Sequence, residues 1–469
     1  MNNKVRPSPE NFFIDWKQRE ALAEGMIPVI GKLYREFNVS CYMYGKSMVN
    51  KSVTDLMKSH RFVRQVEKNM LSEFDTAPML NAISQLRLGP AHIDIGKLVV
   101  KFQASNQRLS IEDFVSAELA DCIRSTKKPL VKPQDVVLYG FGRIGRLLAR
   151  LLIDKAGGGE LLRLRVIVVR KGSKPNNDLE KRAALLRQDS VHGSFKGTIR
   201  VLNESDTMVV NGNPIQVIYA NKPEDVDYSE YKINEPLIID NTGIWTDRKN
   251  LERHLSTGAK KVLLTAPAGG DIPNIVYGVN HHQITAQQDV ISAASCTTNA
   301  IVPVLKTLLD QYGIHHGHVE TVHAYTNDQN LIDNYHPGDR RGRSAALNMV
   351  LTSTGAAKAV AKVIPELEGR LTGNAIRVPT PNVSMAILNL QLNQSVTRDG
   401  LNEFLRHMAL HSEYQEQIGY TVSTEAVSTD FVGSRQATVV DSEATIVSGK
   451  NVVIYCWYDN EFSYSCQVI

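Results

Sequence analysis

Apolar and polar positions follow two different rhythms along this chain, and the change falls near Lys127-Lys128-Pro129-Leu130-Val131-Lys132-Pro133. Before that segment, Trp16 to Phe37 and Val63 to Phe74 carry apolar residues at helical spacing. Ser110-Ile111-Glu112-Asp113 has the form of a helix start ahead of Phe114 to Ile123. The spacing predicts a mainly helical region over residues 1–128, joined to the rest by a Pro/Lys linker.

After the linker, short β-rich runs alternate with helices. Val136 to Tyr139 reads as a strand, Arg143 to Lys155 as a helix and Leu164 to Val169 as a second strand, the order of a βαβ unit with a parallel pair. Thr207 to Val210 and Ile215 to Ile218 flank Asn211-Gly212-Asn213-Pro214 and predict a hairpin. Leu237 to Asp240 and Lys261 to Leu264 are further buried-strand candidates, and Ala300 to Tyr312 an amphipathic helix. His318 to Tyr325 alternates like a strand.

Composition narrows the class of protein. A chain of 469 residues with 42% hydrophobic residues holds more than one core, so two or three domains are expected. The formal charge of +4 is small for this length, and no long Lys/Arg block suggests nucleic acid or a membrane surface as partner. The longest apolar stretches are far too short to span a bilayer, and the N-terminus lacks a signal-peptide apolar region, so a cytoplasmic protein is expected. Five cysteines (Cys41, Cys122, Cys296, Cys456 and Cys466) form no CxxC or Cys/His pattern, so neither a bound metal nor a structural disulfide is expected.

Two segments carry chemistry. Gly140-Phe141-Gly142-Arg143-Ile144-Gly145 follows the first strand directly and opens the helix. Gly140 permits the tight turn, Gly142 lets backbone approach a pyrophosphate, and Gly145 lets helix and strand pack closely. A nicotinamide dinucleotide, NAD or NADP, is the cofactor this arrangement suits. At the end of the second strand, where an acid would bond a ribose 2′-hydroxyl, Arg170-Lys171-Gly172-Ser173 stands instead; the cations could pair with a 2′-phosphate or be solvated loop charges. The second segment is Ala294-Ser295-Cys296-Thr297-Thr298-Asn299, at the start of a helix. The helix dipole there favours a thiolate, hence a nucleophile, although a lone cysteine also suits a small buried hydrophobe. His323, within Glu320 to Thr326, is the candidate base, or else a hydrogen-bonded core histidine.

These segments, with DSVHG (Asp189 to Gly193), TGIWTDR (Thr242 to Arg248), GAKKVLLTAPA (Gly258 to Ala268), STGAAKAV (Ser353 to Val360), KVIPELEGRLTGNAIRVPTPNVS (Lys362 to Ser384), STDFVG (Ser428 to Gly433) and WYDNEFSYS (Trp457 to Ser465), resemble the glyceraldehyde-3-phosphate dehydrogenase family in this order. The likeness runs from about Asp135 to the end; the first 128 residues match nothing in the family pattern. It implies an α/β fold: a doubly wound dinucleotide domain over 129–295, an α+β catalytic domain over 296–459, and a C-terminal segment over 460–469 that returns to the cofactor domain.

The resemblance also implies roles. Cys296 is similar to the nucleophile and His323 to the base. Ser295, Thr297, Thr326, Arg340, Thr354, Gly355 and Arg377 match groups that handle the phosphates of substrate and inorganic phosphate. Gly140, Gly142, Arg143, Ile144 and Gly145 match the cofactor turn, with Arg143 and Ile144 acting through backbone. Thr265 matches a position near the cofactor and Asn460 the side chain that holds the nicotinamide carboxamide. The implied reaction is phosphorylating oxidation of glyceraldehyde 3-phosphate to 1,3-bisphosphoglycerate or its reverse, in a homotetramer. No residue in the set separates this substrate from erythrose 4-phosphate. A regulatory or binding protein that retains the fold is the reading from another class, and the intact Cys296/His323/Arg377 set argues against it. The chain departs from the family at Tyr139, where Asn is usual, at Arg170-Lys171, where an Asn-Asp pair is usual, and in having few residues after Tyr464.

Overall fold

Ala23, Met26, Ile30 and Leu33, three or four residues apart, form the buried stripe of α1 (Pro9–Phe37) in the computed structural model, which describes residues 9–67, 69–105, 109–124, 132–156, 159, 161–172, 177–338, 340–353 and 355–469. The chain forms two compact units, Met1–Lys132 with Gly157–Leu161, and Pro133–Ala156 with Leu162–Ile469.

In the first unit, α1 leads into β1 (Val39–Met43), which turns into β2 (Lys46–Ser47) through Tyr44 and Gly45, both at positive φ. Then come α2 (Val53–Glu67), α3 (Glu73–Ser84), β3 (Ala91–Asp94), α4 (Ile95–Ala104), α5 (Ile111–Glu118) and α6 (Ala120–Arg124). Ser110 caps α5 as its sequence suggests, accepting the Asp113 N–H at 3.1 Å. The apolar run Val63 to Phe74 is divided, because α2 ends at Glu67 and Asp75 accepts the N–H of Ser72 at 2.9 Å to open α3. Both helices present apolar stripes to the region's interior, so helical spacing continued across a break. A small sheet, ordered β2-β1-β3, lies among the helices and was not evident in the apolar spacing. The Lys127–Val131 part of the expected linker lies outside the described residues.

The second unit begins with β4 (Gln134–Tyr139), α7 (Arg143–Asp154), β5 (Leu162–Val169) and α8 (Asp178–Arg187). It continues through β6 (Ile199–Leu202), β7 (Thr207–Val210), β8 (Asn213–Tyr219), β9 (Leu237–Asp240), α9 (Arg248–Leu251), β10 (Lys261–Leu264) and β11 (Val290–Ser292). The sheet order is β11-β10-β9-β4-β5-β8-β7-β6, with β11 to β8 parallel. Strand order reverses at β4, flanked by β5 and β9, which leaves a crevice at the strands' carboxyl ends. The β7–β8 hairpin forms as expected on Asn211 and Gly212, both at positive φ, while Pro214 falls inside β8. Val136, Leu138, Leu148, Leu152, Ile167 and Ile239 are among the residues that fill the core on one face.

The chain then enters α10 (Cys296–Tyr312), which begins four residues before the apolar pattern does, and β12 (Ile314–Ala324). β13 (Val350–Ser353), α11 (Ala356–Val363), β14 (Leu371–Val378), β15 (Ser384–Leu392), α12 (Arg398–His411), β16 (Ile418–Thr421), β17 (Thr438–Ser448) and β18 (Asn451–Tyr458) follow. These strands form a mixed sheet, β13-β14-β12-β15-β18-β17-β16. Finally α13 (Phe462–Val468) packs on α7, and Val468 and Ile469 join the dinucleotide-side core. No helix among the described residues is long and apolar enough to cross a membrane.

Candidate active site

A sharp turn delivers Cys296 to the first position of α10. Ala294 adopts a left-handed conformation (φ 55°), uncommon for a residue with a Cβ, and its carbonyl accepts the buried Tyr464 hydroxyl at 3.0 Å. Ser295 caps the helix by accepting the Thr298 N–H at 3.0 Å, and Asn299 Nδ2 donates to the carbonyls of Ala293 and Ser295 at 2.8 and 2.9 Å. The turn is thus fixed from both sides before the sulfur is placed.

His323 approaches from β12, with Nε2 3.6 Å from Cys296 Sγ. The parallel register of β12 and β14 sets Arg377 directly beside His323, and Arg377 Nη1 lies 2.6 Å from His323 Nδ1 and 3.0 Å from the Ala324 carbonyl. His323 Nδ1 is also 2.7 Å from that carbonyl. The two contacts of Nδ1 compete. A guanidinium can only donate, so when Nδ1 accepts from Arg377 the ring hydrogen sits on Nε2 and faces the sulfur. When Nδ1–H donates to Ala324 instead, the Nε2 lone pair faces the sulfur. The first tautomer supports a thiolate; the second takes a proton.

Burial governs the resting charges. It pushes the Cys296 thiol upward, against the Arg377 guanidinium and the helix-start N–H groups, so the dipole expected to favour the thiolate is outweighed by desolvation. Burial and then the Arg377 charge push His323 down to about 3. Both pushes favour the uncharged forms of the pair. Behind it, the buried Tyr458 hydroxyl lies 3.0 Å from Thr297 Oγ1 and 2.7 Å from Thr321 Oγ1, and its ring meets His323 edge-on. Thr297 thus has its hydroxyl engaged by a tyrosine that the motif reading did not single out.

The remaining expected phosphate-handling groups are spread along two segments. Thr326 follows β12, and its carbonyl accepts the Gln329 N–H. Arg340 is exposed and makes no side-chain bond to any described residue. Its neighbour Arg341 instead reaches Thr352 Oγ1 at 3.2 Å and is close enough to act electrostatically on Arg377. Gly355 is the exposed N-cap of α11, and Thr354 lies outside the described residues.

On the cofactor side, Gly140 has φ 103°, and a Cβ there would meet Asn241 Oδ1 at 2.9 Å. At Gly145 it would lie 2.5 Å from Asn241 Oδ1 and 2.7 Å from the Gly140 carbonyl. A Cβ at Gly142 would meet nothing within 4 Å, so backbone is bare on the side where the N-terminus of α7 opens. This shape fits a pyrophosphate. Ile144 packs against the sheet core, and the Arg143 guanidinium reaches Asp189 at 2.7 Å and Glu461 at 2.8 Å. Thr265 N donates to the Asp240 carbonyl at 3.0 Å, at the carboxyl end of β10. Asn460 is buried and accepts the Ser384 hydroxyl at 2.9 Å; that same hydroxyl accepts the Ala324 N–H, linking Asn460 to the strand of His323.

At the end of β5, Arg170 is exposed and Lys171 Nζ stands 5.7 Å from the Tyr219 ring. An acid is present there after all. Asp178, at the start of α8, comes within 2.8 Å of the point where a Gly172 Cβ would be, and it is ion-paired with Arg182 at 2.6 Å. Sequence proximity to the strand end did not reveal it. Among the described residues, no group of three or more His, Cys, Asp or Glu is placed to hold a metal ion.

Comparison with known proteins agrees with this geometry. The glyceraldehyde 3-phosphate dehydrogenase NAD-binding domain matches residues 134–248, and the C-terminal domain of the same family matches residues 295–460. A glyceraldehyde-3-phosphate dehydrogenase-like protein of Pseudomonas aeruginosa is 60% identical over 447 residues, covering 95% of this chain and 96% of its own, so the likeness reaches into the first unit. Glyceraldehyde-3-phosphate dehydrogenase of Zymomonas mobilis and glyceraldehyde-3-phosphate dehydrogenase 1 of Bacillus subtilis are each 40% identical over 71% of this chain and 96% of their own. The chain belongs to the glyceraldehyde-3-phosphate dehydrogenase family and is a dehydrogenase of that type.

Proposed function

We propose that this protein oxidises glyceraldehyde 3-phosphate with inorganic phosphate to 1,3-bisphosphoglycerate, or runs the reverse reaction, through a thioester on Cys296. The observation that carries this reading is the Cys296–His323–Arg377 arrangement, with Sγ and Nε2 3.6 Å apart at a helix start. The thiol proton passes to Nε2 of His323 as sulfur adds to the aldehyde carbon, and from the imidazolium to the carbonyl oxygen, giving a hemithioacetal and a neutral His323 again. His323 then takes the hemithioacetal hydroxyl proton as hydride departs. The Gly140–Gly145 turn would hold a nicotinamide dinucleotide, which would supply the hydride acceptor, and Asn460 would orient its carboxamide, with Thr265 nearby. The resulting thioester is open to phosphate, which displaces sulfur to release the acyl phosphate. Arg377 suits the phosphate-binding task because its charge is permanent and its donors are fixed. Ser295, Thr297, Thr326, Thr354 and Gly355 complete that set, with Arg340 or its neighbour Arg341 as second cation.

NADP is the cofactor we favour. Arg170 and Lys171 place two cations at the end of β5, and Arg182 offsets the charge of Asp178 there, so little opposes a 2′-phosphate. A homo-oligomer, by resemblance a tetramer, is supported by Leu331, Ile332, Tyr335, Leu347 and Met349, all more than 70% exposed after Thr326. One assay set tests the proposal: phosphate-dependent reduction of NAD and of NADP, with glyceraldehyde 3-phosphate and with erythrose 4-phosphate. Erythrose 4-phosphate giving the higher kcat/KM would replace the substrate assignment. A tenfold preference for NAD, unchanged in Arg170→Ala and Lys171→Ala, would remove the cofactor assignment.

A further inference from the structure

His192, within the DSVHG segment, has a side chain that is only 5% exposed and surrounded by charged residues. It belongs to the loop after α8, in the dinucleotide half of the second unit. Nε2 is 3.1 Å from Asp459 Oδ2, and since a carboxylate can only accept, Nε2 carries the hydrogen. Nδ1 faces Arg143 Nη2 at 3.4 Å, with Asp189 and Glu461 oxygens at 3.5 and 3.8 Å, and the ring packs against Phe462.

Asp459 is fully buried and immediately precedes Asn460. Its Oδ1 accepts the N–H groups of Glu461 at 3.0 Å and Phe462 at 2.8 Å, and its Oδ2 accepts the Gly433 N–H at 2.8 Å along with His192. The carboxylate therefore organises the turn that carries Asn460 out of β18 and into α13. Burial would push Asp459 upward, but the His192 contact and these N–H groups outweigh it and hold the carboxyl below its ordinary range. His192 is the side chain by which the cofactor half grips that carboxylate. Arg143 adds a parallel link from the glycine turn to Glu461, on the other side of Asn460.

We infer that His192 is a positioning residue for the nicotinamide end of the cofactor, holding Asn460 in place through the Asp459 carboxylate. The inference rests on the reading that Asn460 meets the nicotinamide carboxamide. His192 acts on the turn and not on the phosphates or adenosine, so its removal weakens binding only of ligands that contain nicotinamide.

Calorimetric titration of the full chain with NAD and with ADP-ribose, which lacks the nicotinamide, separates these effects; NADP and 2′-phospho-ADP-ribose serve if that is the preferred cofactor. Asn460→Ala tests the underlying reading, and it should narrow the affinity gap between the two ligands. His192→Ala should narrow the same gap by about tenfold, the scale of one lost hydrogen bond to a buried charge, while ADP-ribose affinity stays within twofold. His192→Gln, which can still donate to Asp459, should recover most of the gap. If His192→Ala does not fold, His192→Asn, too short to reach Asp459, takes its place. Equal weakening of both ligands, or no change in a protein whose Asn460→Ala variant does respond, overturns the inference. An unresponsive Asn460→Ala variant overturns the reading beneath it.

Discussion

Two buried histidines, one in each unit, show how differently the same side chain can be used. His60 in α2 contacts the Leu56 carbonyl at 2.8 Å through Nδ1 and Thr76 Oγ1 at 2.7 Å through Nε2, so each ring nitrogen has its own hydrogen-bond partner. Burial lowers its proton affinity, but Glu73, itself bonded to Arg19 at 2.8 Å, pulls the other way. His323 is equally enclosed, yet its charged neighbour is Arg377, which pushes in the same direction as burial. Its Nδ1 is shared by two competing contacts, and its Nε2 faces a thiol. A buried histidine with a carboxylate neighbour ties three helices together. Uncompensated burial leaves a neutral base with two accessible tautomers, which is what chemistry at a thiol requires.

The comparison breaks most readily at the thiol. Cys296→Ser should abolish dehydrogenase activity while leaving folding and dinucleotide binding largely intact, because an alcohol ionises far less readily than a thiol. Near-normal turnover in steady-state assays would remove Cys296 as the nucleophile. For His323→Asn, the rate of acylation in a single turnover should fall by roughly two to four decades, the usual reach of a general base. An unchanged rate would make His323 a core histidine like His60.

On the other side of the comparison, Glu73→Ala should cost about 1.5 kcal/mol in denaturant unfolding of the first unit, since it removes the buried partner of Arg19, which keeps its bond to Asp15 at 2.8 Å. Phosphate-dependent turnover by the second unit should persist. If stability is unchanged, the helices are held by apolar packing alone.

Acid produces a more gradual effect. His323 stays neutral in the folded protein down to about pH 3, whereas an unfolded histidine protonates near pH 6.5. Within that window the unfolded chain binds the extra proton, so stability falls as pH is lowered, by at most about 1.4 kcal/mol per unit from this site. His60 acts in the same sense, opposed by Glu73. His323→Gln should flatten the pH dependence more than His60→Gln does, and equal slopes would show that Glu73 compensates nothing.

Much of the cofactor turn and the thiol was legible because their requirements are local. Gly140, Gly142 and Gly145 stand where a strand must turn into a helix, and Ser295-Cys296 stand where a helix must be capped. The parallel pairing of β4 with β5 also followed from βαβ alternation. The partners of these groups were less legible. Arg377 is 54 positions from His323 and meets it through the β12–β14 register, while Tyr458 reaches Thr297 across 161 positions. Asp178 offsets the apparent absence of an acid after β5, and Arg341, not Arg340, stands in electrostatic reach of Arg377. Each pairing depends on which neighbouring side chain of a motif turns inward, and spacing along the chain does not encode that.

By itself, the amino-acid sequence determined the helical character of the first region, the parallel βαβ core of the second, the glycine turn, and a cysteine at a helix start, since each follows from residue chemistry over a few turns of chain. Only the tertiary structure decided which way each titrating group is pushed. Whether the dipole or desolvation prevails at Cys296, and whether a buried histidine meets a carboxylate or a guanidinium, depends on groups that the sheets bring together from distant strands. Electrostatic energies in a desolvated interior are set by those distances, so the same residue types serve stability in one unit and reactivity in the other.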